Sequence, residues 1–123
     1  HGMGAFALLL LDKIEEAQKN NNVVLDGLYS WDEFKILKKK FKDDLTVISI
    51  VVDKNKRYER LEKRNIRALS SKKAEERDIA EIENSAKGGP IAFADYYILN
   101  NGDMDNYLNK LDEITKNIFR SVK

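Results

Sequence analysis

The chain has 123 residues, a formal net charge of +1, no cysteine and one proline, the size of one modest domain. Hydrophobic residues make up 42% and charged residues 35%, enough apolar content for a core and too much for a disordered chain. Absence of cysteine excludes a disulfide scaffold, a thiolate metal site and cysteine nucleophile chemistry.

The first expected element is a helix from Ala5 to about Asn20, with Phe6, Leu9, Leu10, Ile14 and Ala17 at helical spacing. Its apolar run, Ala5–Leu11, falls far short of the roughly 20 residues that span a bilayer. No basic segment precedes it as in a signal peptide, so a soluble cytoplasmic protein with no membrane partner is expected. Val23-Val24-Leu25 reads as a short buried strand closed by the turn pair Asp26-Gly27. Ser30 with Glu33 forms a capping-box pattern, opening a helix whose inward face is Trp31, Phe34, Leu37 and Phe41. Leu45–Val52 is almost continuously apolar and β-branched, as in a strand covered on both faces. A basic helix follows Asp53, with Tyr58 and Leu61 inward. Ser70 or Ser71 opens a polar helix to about Lys87, stopped by Gly88-Gly89-Pro90. Ala94–Leu99 suggests a third strand, and a last helix runs from about Met104 to Phe119.

Alternating strands and helices imply an α/β fold with a parallel sheet and right-handed crossovers. Ligands in such sheets gather at the carboxyl ends of the strands. Here those ends are Asp26-Gly27, Asp53 with the basic helix, and Asn100-Asn101-Gly102. The charge is uneven along the chain. Lys54–Arg67 carries a net +5 and the remainder −4, an asymmetry that points to an anionic ligand.

Arg57, Arg60 and Arg64 fall at spacings of three and four, so a continuous helix presents them on one side, and Arg67 continues the row. Guanidinium groups grip phosphate oxygens through paired donors and stabilise developing charge. The plainer alternative is a solvated helix whose Glu59 and Glu62 make weak surface pairs. Asp26 could hold magnesium through water or accept a proton from an attacking hydroxyl, or serve only as a turn residue. Asp53 shares that ambiguity with a capping role. Asn100-Asn101-Gly102 could approach a planar base or ribose, or simply turn the chain. Asp95 suits a structural bond to a neighbouring loop, and Tyr96 and Tyr97 suit packing. His1 offers no catalytic case. A nucleic-acid partner ranks below a nucleotide, because aromatic residues are not interleaved with the basic stretch for stacking.

Together these segments resemble the later part of a P-loop kinase of the dephospho-coenzyme A kinase and nucleoside-monophosphate kinase type. More closely, they look like an archaeal-style group of dephospho-coenzyme A kinase-like, AAA-family ATPases. The likeness rests on Val23-Val24-Leu25-Asp26-Gly27 with Glu33, and on Arg57-Tyr58-Glu59-Arg60-Leu61 with Arg64. Glu76-Arg77-Asp78 with Glu81, Ala94-Asp95-Tyr96, Asn100-Asn101-Gly102 and the opening Gly2-Met3-Gly4-Ala5 complete it. Each motif is short, and their order and spacing carry the specificity.

The resemblance implies a three-layer P-loop-kinase-like sheet and transfer of the ATP γ-phosphate to a hydroxyl, with Mg2+ as counter-charge. The acceptor would be a nucleotide or a coenzyme A precursor. Asp26 matches the strand-end aspartate near metal and acceptor. Arg60 and Arg64 match the lid arginines that contact phosphates during transfer, Arg57 matches them less closely, and Arg67 joins Arg57 as a cofactor-binding candidate by continuing the row. Ser71–Lys87 matches the lid or its return arm, and Asn100, Asn101 and Gly102 match the loop beside the adenine. No GxxxxGK[ST] occurs in the chain, so the resemblance implies a kinase lacking its amino-terminal part, inactive by itself. The central first strand would then be absent, leaving Leu45–Val52 and Ala94–Leu99 each facing a gap. Rearranged pairing, a second chain in a homo-oligomer, or a separate segment would close it. A non-catalytic nucleotide- or phosphate-binding module and an oligomeric interaction domain are the alternatives.

Overall fold

The computed structural model describes residues 4–120 as six α-helices and a two-stranded parallel sheet, an α/β architecture. The order is α1 (Ala5–Gln18), α2 (Trp31–Phe41), a 3-10 turn (Lys42–Asp44), β1 (Ile48–Val51) and α3 (Lys54–Glu62). There follow α4 (Ser71–Ser85), α5 (Gly88–Ala92), β2 (Tyr96–Leu99) and α6 (Met104–Arg120). His1 and the Gly2-Met3 part of the opening motif lie outside the described residues, as does the side chain of Phe6. Among the described residues no helix is long and apolar enough to cross a membrane.

The chain divides into two compact units. One takes in residues up to Leu45 together with Ala80–Phe93, and the other Thr46–Ile79 with the chain from Ala94 onward. In the first, Ala7, Ile14 and Leu37 are buried, with Leu10, Leu11, Val23, Leu28, Ile36, Phe41 and Leu45 packed around them. Ala7, Leu10, Leu11 and Ile14 form the inward stripe of α1, whereas Leu9 and Ala17 point to solvent. Residues 5–11 are apolar throughout, so periodicity leaves the phase of that stripe open. Packing on α2 sets it. Gly4 belongs to this contact, since a Cβ there would collide with Ile36 Cδ1.

The Ser30 cap forms as expected. Its Oγ accepts the Glu33 N–H at 3.1 Å and donates to Glu33 Oε1 at 3.0 Å, and both residues are buried. Phe34 and Leu37 are buried, and Trp31 and Phe41 half-buried. Trp31 stacks on Phe34 with ring centroids 5.0 Å apart, and both meet Phe93 edge-on.

Val23–Leu25 is not a strand. It is irregular, with Val24 88% exposed, because an extended segment needs a neighbouring ladder to take its backbone groups. Among the described residues the only ladder is β1 with β2, in register from Ile48 opposite Tyr96 to Val51 opposite Leu99. The two strands pair directly with each other, with no gap between them. β1 is shorter than Leu45–Val52, since β2 supplies four register partners. Nor is it covered on both faces. Ile50 is exposed, as are Tyr97 and Leu99 on β2, because two strands cannot shield each other's faces. Among the described residues, Ile98, Ser49, Tyr58 and Ala74 are the buried ones of this second unit.

Gly88-Gly89-Pro90 does not stop α4 but opens α5. The preceding helix ends earlier, at Ser85, where Ala86 takes a φ of 50°. Gly89 is required by Trp31, whose Cε3 would lie 2.6 Å from a Cβ at that position.

Candidate functional site

In the second unit the parallel pairing of β1 and β2 puts both carboxyl ends at one edge of the sheet. After β1 the chain passes through Asp53, whose C=O accepts the Arg57 N–H at 2.9 Å to start α3. After β2 it enters Asn100-Asn101-Gly102. Asn101 Oδ1 accepts the Asp53 N–H at 2.9 Å, and the Asn100 N–H donates to Val51 O at 2.8 Å. Asp53 stands at the N-cap position without a side-chain cap bond. Asp95 behaves as the structural residue expected, accepting the Val47 N–H at 2.8 Å.

Arg60, from the second turn of α3, completes this edge. Its guanidinium donates to Asn100 O at 2.6 Å and to Gly102 O at 3.1 Å. Three of the expected site residues, Arg60, Asn100 and Gly102, thus form one hydrogen-bonded group, while Asn101 between the two loop carbonyls bonds Asp53. Arg60 acts within it as a clamp on two carbonyls.

The helical row of arginines is not continuous. α3 ends at Glu62, because the next inward position after Leu61 is the polar Asn65, and Ile66 is 76% exposed. Arg64 and Arg67 instead belong to a loop. Its base is closed by the Leu69 N–H on Leu61 O at 3.1 Å. Glu62 Oε1 adds two bonds, from the Ser71 N–H at 3.0 Å and its Oγ at 2.6 Å. Those bonds hold the Glu62 carboxyl below the usual range. Arg64 Nη2 donates to Arg67 O at 2.9 Å, and Arg67 takes a left-handed φ of 56°. Both guanidinium side chains are on exposed residues. Among the described residues no carboxylate forms a salt bridge with Arg60, Arg64 or Arg67.

Arg57 has a different setting. Its Nη1 and Nη2 donate to Asp78 Oδ1 at 3.0 Å and Oδ2 at 2.6 Å, and Tyr58 Oη donates to Asp78 Oδ2 at 2.7 Å. The Arg57 guanidinium carbon lies 4.9 Å from the Tyr58 ring centroid, and Lys54 Nζ lies 5.7 Å from it. The bond to Asp78 raises the Arg57 pKa and holds the Tyr58 phenol above the ordinary tyrosine range. Asp78 belongs to the Glu76-Arg77-Asp78 segment of α4. Its partners stand 20 and 21 residues away, beyond any helical spacing rule. Asp26 belongs to the first unit; it is exposed and precedes Gly27, whose φ of 90° marks a turn.

No family model matches the chain. It is 33% identical over 120 residues to a UPF0200 protein of Sulfurisphaera tokodaii, covering 96% of this chain and 64% of the relative. It is 32% identical over 125 residues to a UPF0200 protein of Methanococcus maripaludis, covering 99% of this chain and 67% of the relative. A UPF0200 protein of Thermococcus kodakarensis is 30% identical over 125 residues, with 98% and 67% covered. The chain belongs to the UPF0200 family. It spans 64% to 67% of the length of these curated relatives, whose names state no ligand or reaction.

The donor set of this UPF0200 chain fits phosphate oxygens. Guanidinium groups offer paired N–H donors in a planar fork, and here two of them stand on a loop tied at its base. Magnesium has a different requirement. Among the described residues no group of three His, Asp or Glu side chains converges as metal ligands.

Proposed function

We propose that this chain carries the phosphate-gripping part of a P-loop-type kinase, whose whole protein has the three-layer sheet and transfers the ATP γ-phosphoryl to a hydroxyl. The acceptor is nucleotide-like, and dephospho-coenzyme A is the candidate from resemblance. The observation that carries the reading is the Arg60 clamp. It ties the helix that leads into the Arg64–Arg67 loop to Asn100 and Gly102 at the carboxyl edge of the parallel pair. In the transfer the bond between the γ-phosphorus and the β,γ-bridging oxygen breaks, and one to the acceptor oxygen forms. Charge on the moving oxygens is what Arg64 and Arg67 would neutralise.

The test is calorimetric titration of Mg·ATP into the wild type and the double variant R64A/R67A. Wild-type binding weakened about tenfold or more in the variant is expected, since each charge-assisted contact contributes about 1.5–3 kcal/mol. Circular dichroism should be unchanged, because both residues are exposed. Equal binding by the two proteins, or none by either, would contradict the reading. The exposed Arg64–Arg67 loop also fits a second reading, a nucleotide- or phosphate-binding module that uses these arginines without catalysis. Binding of Mg·ATP by the whole protein without phosphoryl transfer to any hydroxyl acceptor would select it.

A further inference from the structure

We propose that Glu62 is the positioning residue for phosphate grip: pinned to the start of α4, its carboxylate sets the Arg64–Arg67 loop and stays off the two guanidinium groups. The inference rests on the phosphate reading above and names the side chain on which the loop's geometry depends. Three observations carry it. First, Glu62 joins the two feet of the loop. It is the last residue of α3, and Ser71 is the first of α4. One oxygen, Oε1, accepts both the Ser71 N–H at 3.0 Å and the Ser71 hydroxyl at 2.6 Å. The Leu69 N–H on Leu61 O, at 3.1 Å, closes the same junction beside it. A loop tied at both feet loses less freedom on gripping an anion than a loose one.

Second, the start of α4 is a place that holds a carboxylate. Its first turn contains Lys72 and Lys73 and no acidic residue, while the free N–H groups of a helix start favour negative charge. Glu62 supplies from α3 the anion that α4 lacks.

Third, this attachment leaves the loop arginines to a ligand. Lys54–Arg67 contains two acidic residues, Glu59 and Glu62. Glu59 pairs with Lys63 at 2.7 Å and Glu62 bonds Ser71, so neither neutralises Arg64 or Arg67. Glu62 is next but one to Arg64 in the chain. Released from Ser71, it would compete with an incoming phosphate for the guanidinium donors.

The test is calorimetric titration of Mg·ATP into E62A and E62Q at fixed ionic strength. Glu62 is exposed, so both variants should keep the fold. Loss of a negative charge beside an anion site by itself tightens binding. Positioning predicts the reverse for E62A, which loses the acceptor and should bind about fivefold more weakly than wild type. E62Q loses the same charge, keeps an oxygen for Ser71, and should bind at least as tightly as wild type. Added to R64A/R67A, E62A should cost nothing further. Binding by E62A equal to or tighter than wild type overturns the proposal. So does E62Q as weak as E62A, or a loss that persists in R64A/R67A. Amide exchange of the unliganded protein is a second readout. E62A should quicken exchange at Leu69 about fivefold, although its acceptor Leu61 O is intact, and E62Q should not. Unchanged exchange at Leu69 in E62A overturns the positioning. A wild type that binds no Mg·ATP fails the phosphate reading instead, and exchange at Leu69 then decides whether Glu62 sets the loop.

Discussion

At the scale of single residues, the second unit turns on where three arginine side chains end. Arg60 ends on two loop carbonyls and Arg57 on a carboxylate, while Arg64 donates to the Arg67 carbonyl within an exposed loop. Residue type is legible in the sequence, as is the spacing, but the ends are not. Asp78 lies on another helix, and nothing in KNKRYERLEKR reports its approach. The Tyr58 phenol gives this contact a pH signature. Its bond to Asp78 favours the neutral form, so the stabilisation is complete below the ordinary tyrosine value of about 10. It is lost as pH rises through the higher folded value. In a tyrosinate absorbance titration, one of the five tyrosines should ionise after the rest, and D78N should bring it back among them. Five tyrosines titrating together in the wild type would show that the bond is not held in solution.

At the scale of elements, helices with a marked apolar stripe and a cap are legible. Ser30 and Glu33 fix the start of α2, and the last helix begins at Met104 as its spacing indicates. Elements that depend on a distant partner are not. Val23–Leu25 has the composition of a strand and lacks a ladder, whereas β1 and β2 exist because each is the other's partner. Helix ends also mislead where no glycine marks them. α4 stops at Ser85 because the Ala86 N–H reaches back to Ile82 O at 3.2 Å with a left-handed φ of 50°, the stop that glycine usually provides. Ala86→Gly should relieve about 1–2 kcal/mol of steric cost against roughly 0.4–1 kcal/mol of added unfolded-state entropy. A net gain of about 0.5–1 kcal/mol should raise the Tm by roughly 2–4 °C. A lower Tm in thermal unfolding would show that the alanine is not strained there.

At the scale of the molecule, the formal charge of +1 hides a basic segment, Lys54–Arg67, on a mildly acidic remainder. The sequence locates that segment correctly and misjudges its shape. It is a two-turn helix and a tied loop, because the chain runs out of inward apolar residues after Leu61. Membership of the UPF0200 family, over 64% to 67% of the relatives' length, makes phosphoryl transfer a proposal about the whole protein. Grip on a polyphosphate is a property this chain can be asked for directly. Phosphorus NMR of Mg·ATP with substoichiometric protein does so, since broadening reports which phosphates touch it. Grip by the Arg64–Arg67 loop predicts that the β- and γ-phosphorus resonances broaden with wild type and stay sharp with R64A/R67A. Resonances equally sharp with both proteins, or equally broadened by both, would contradict it.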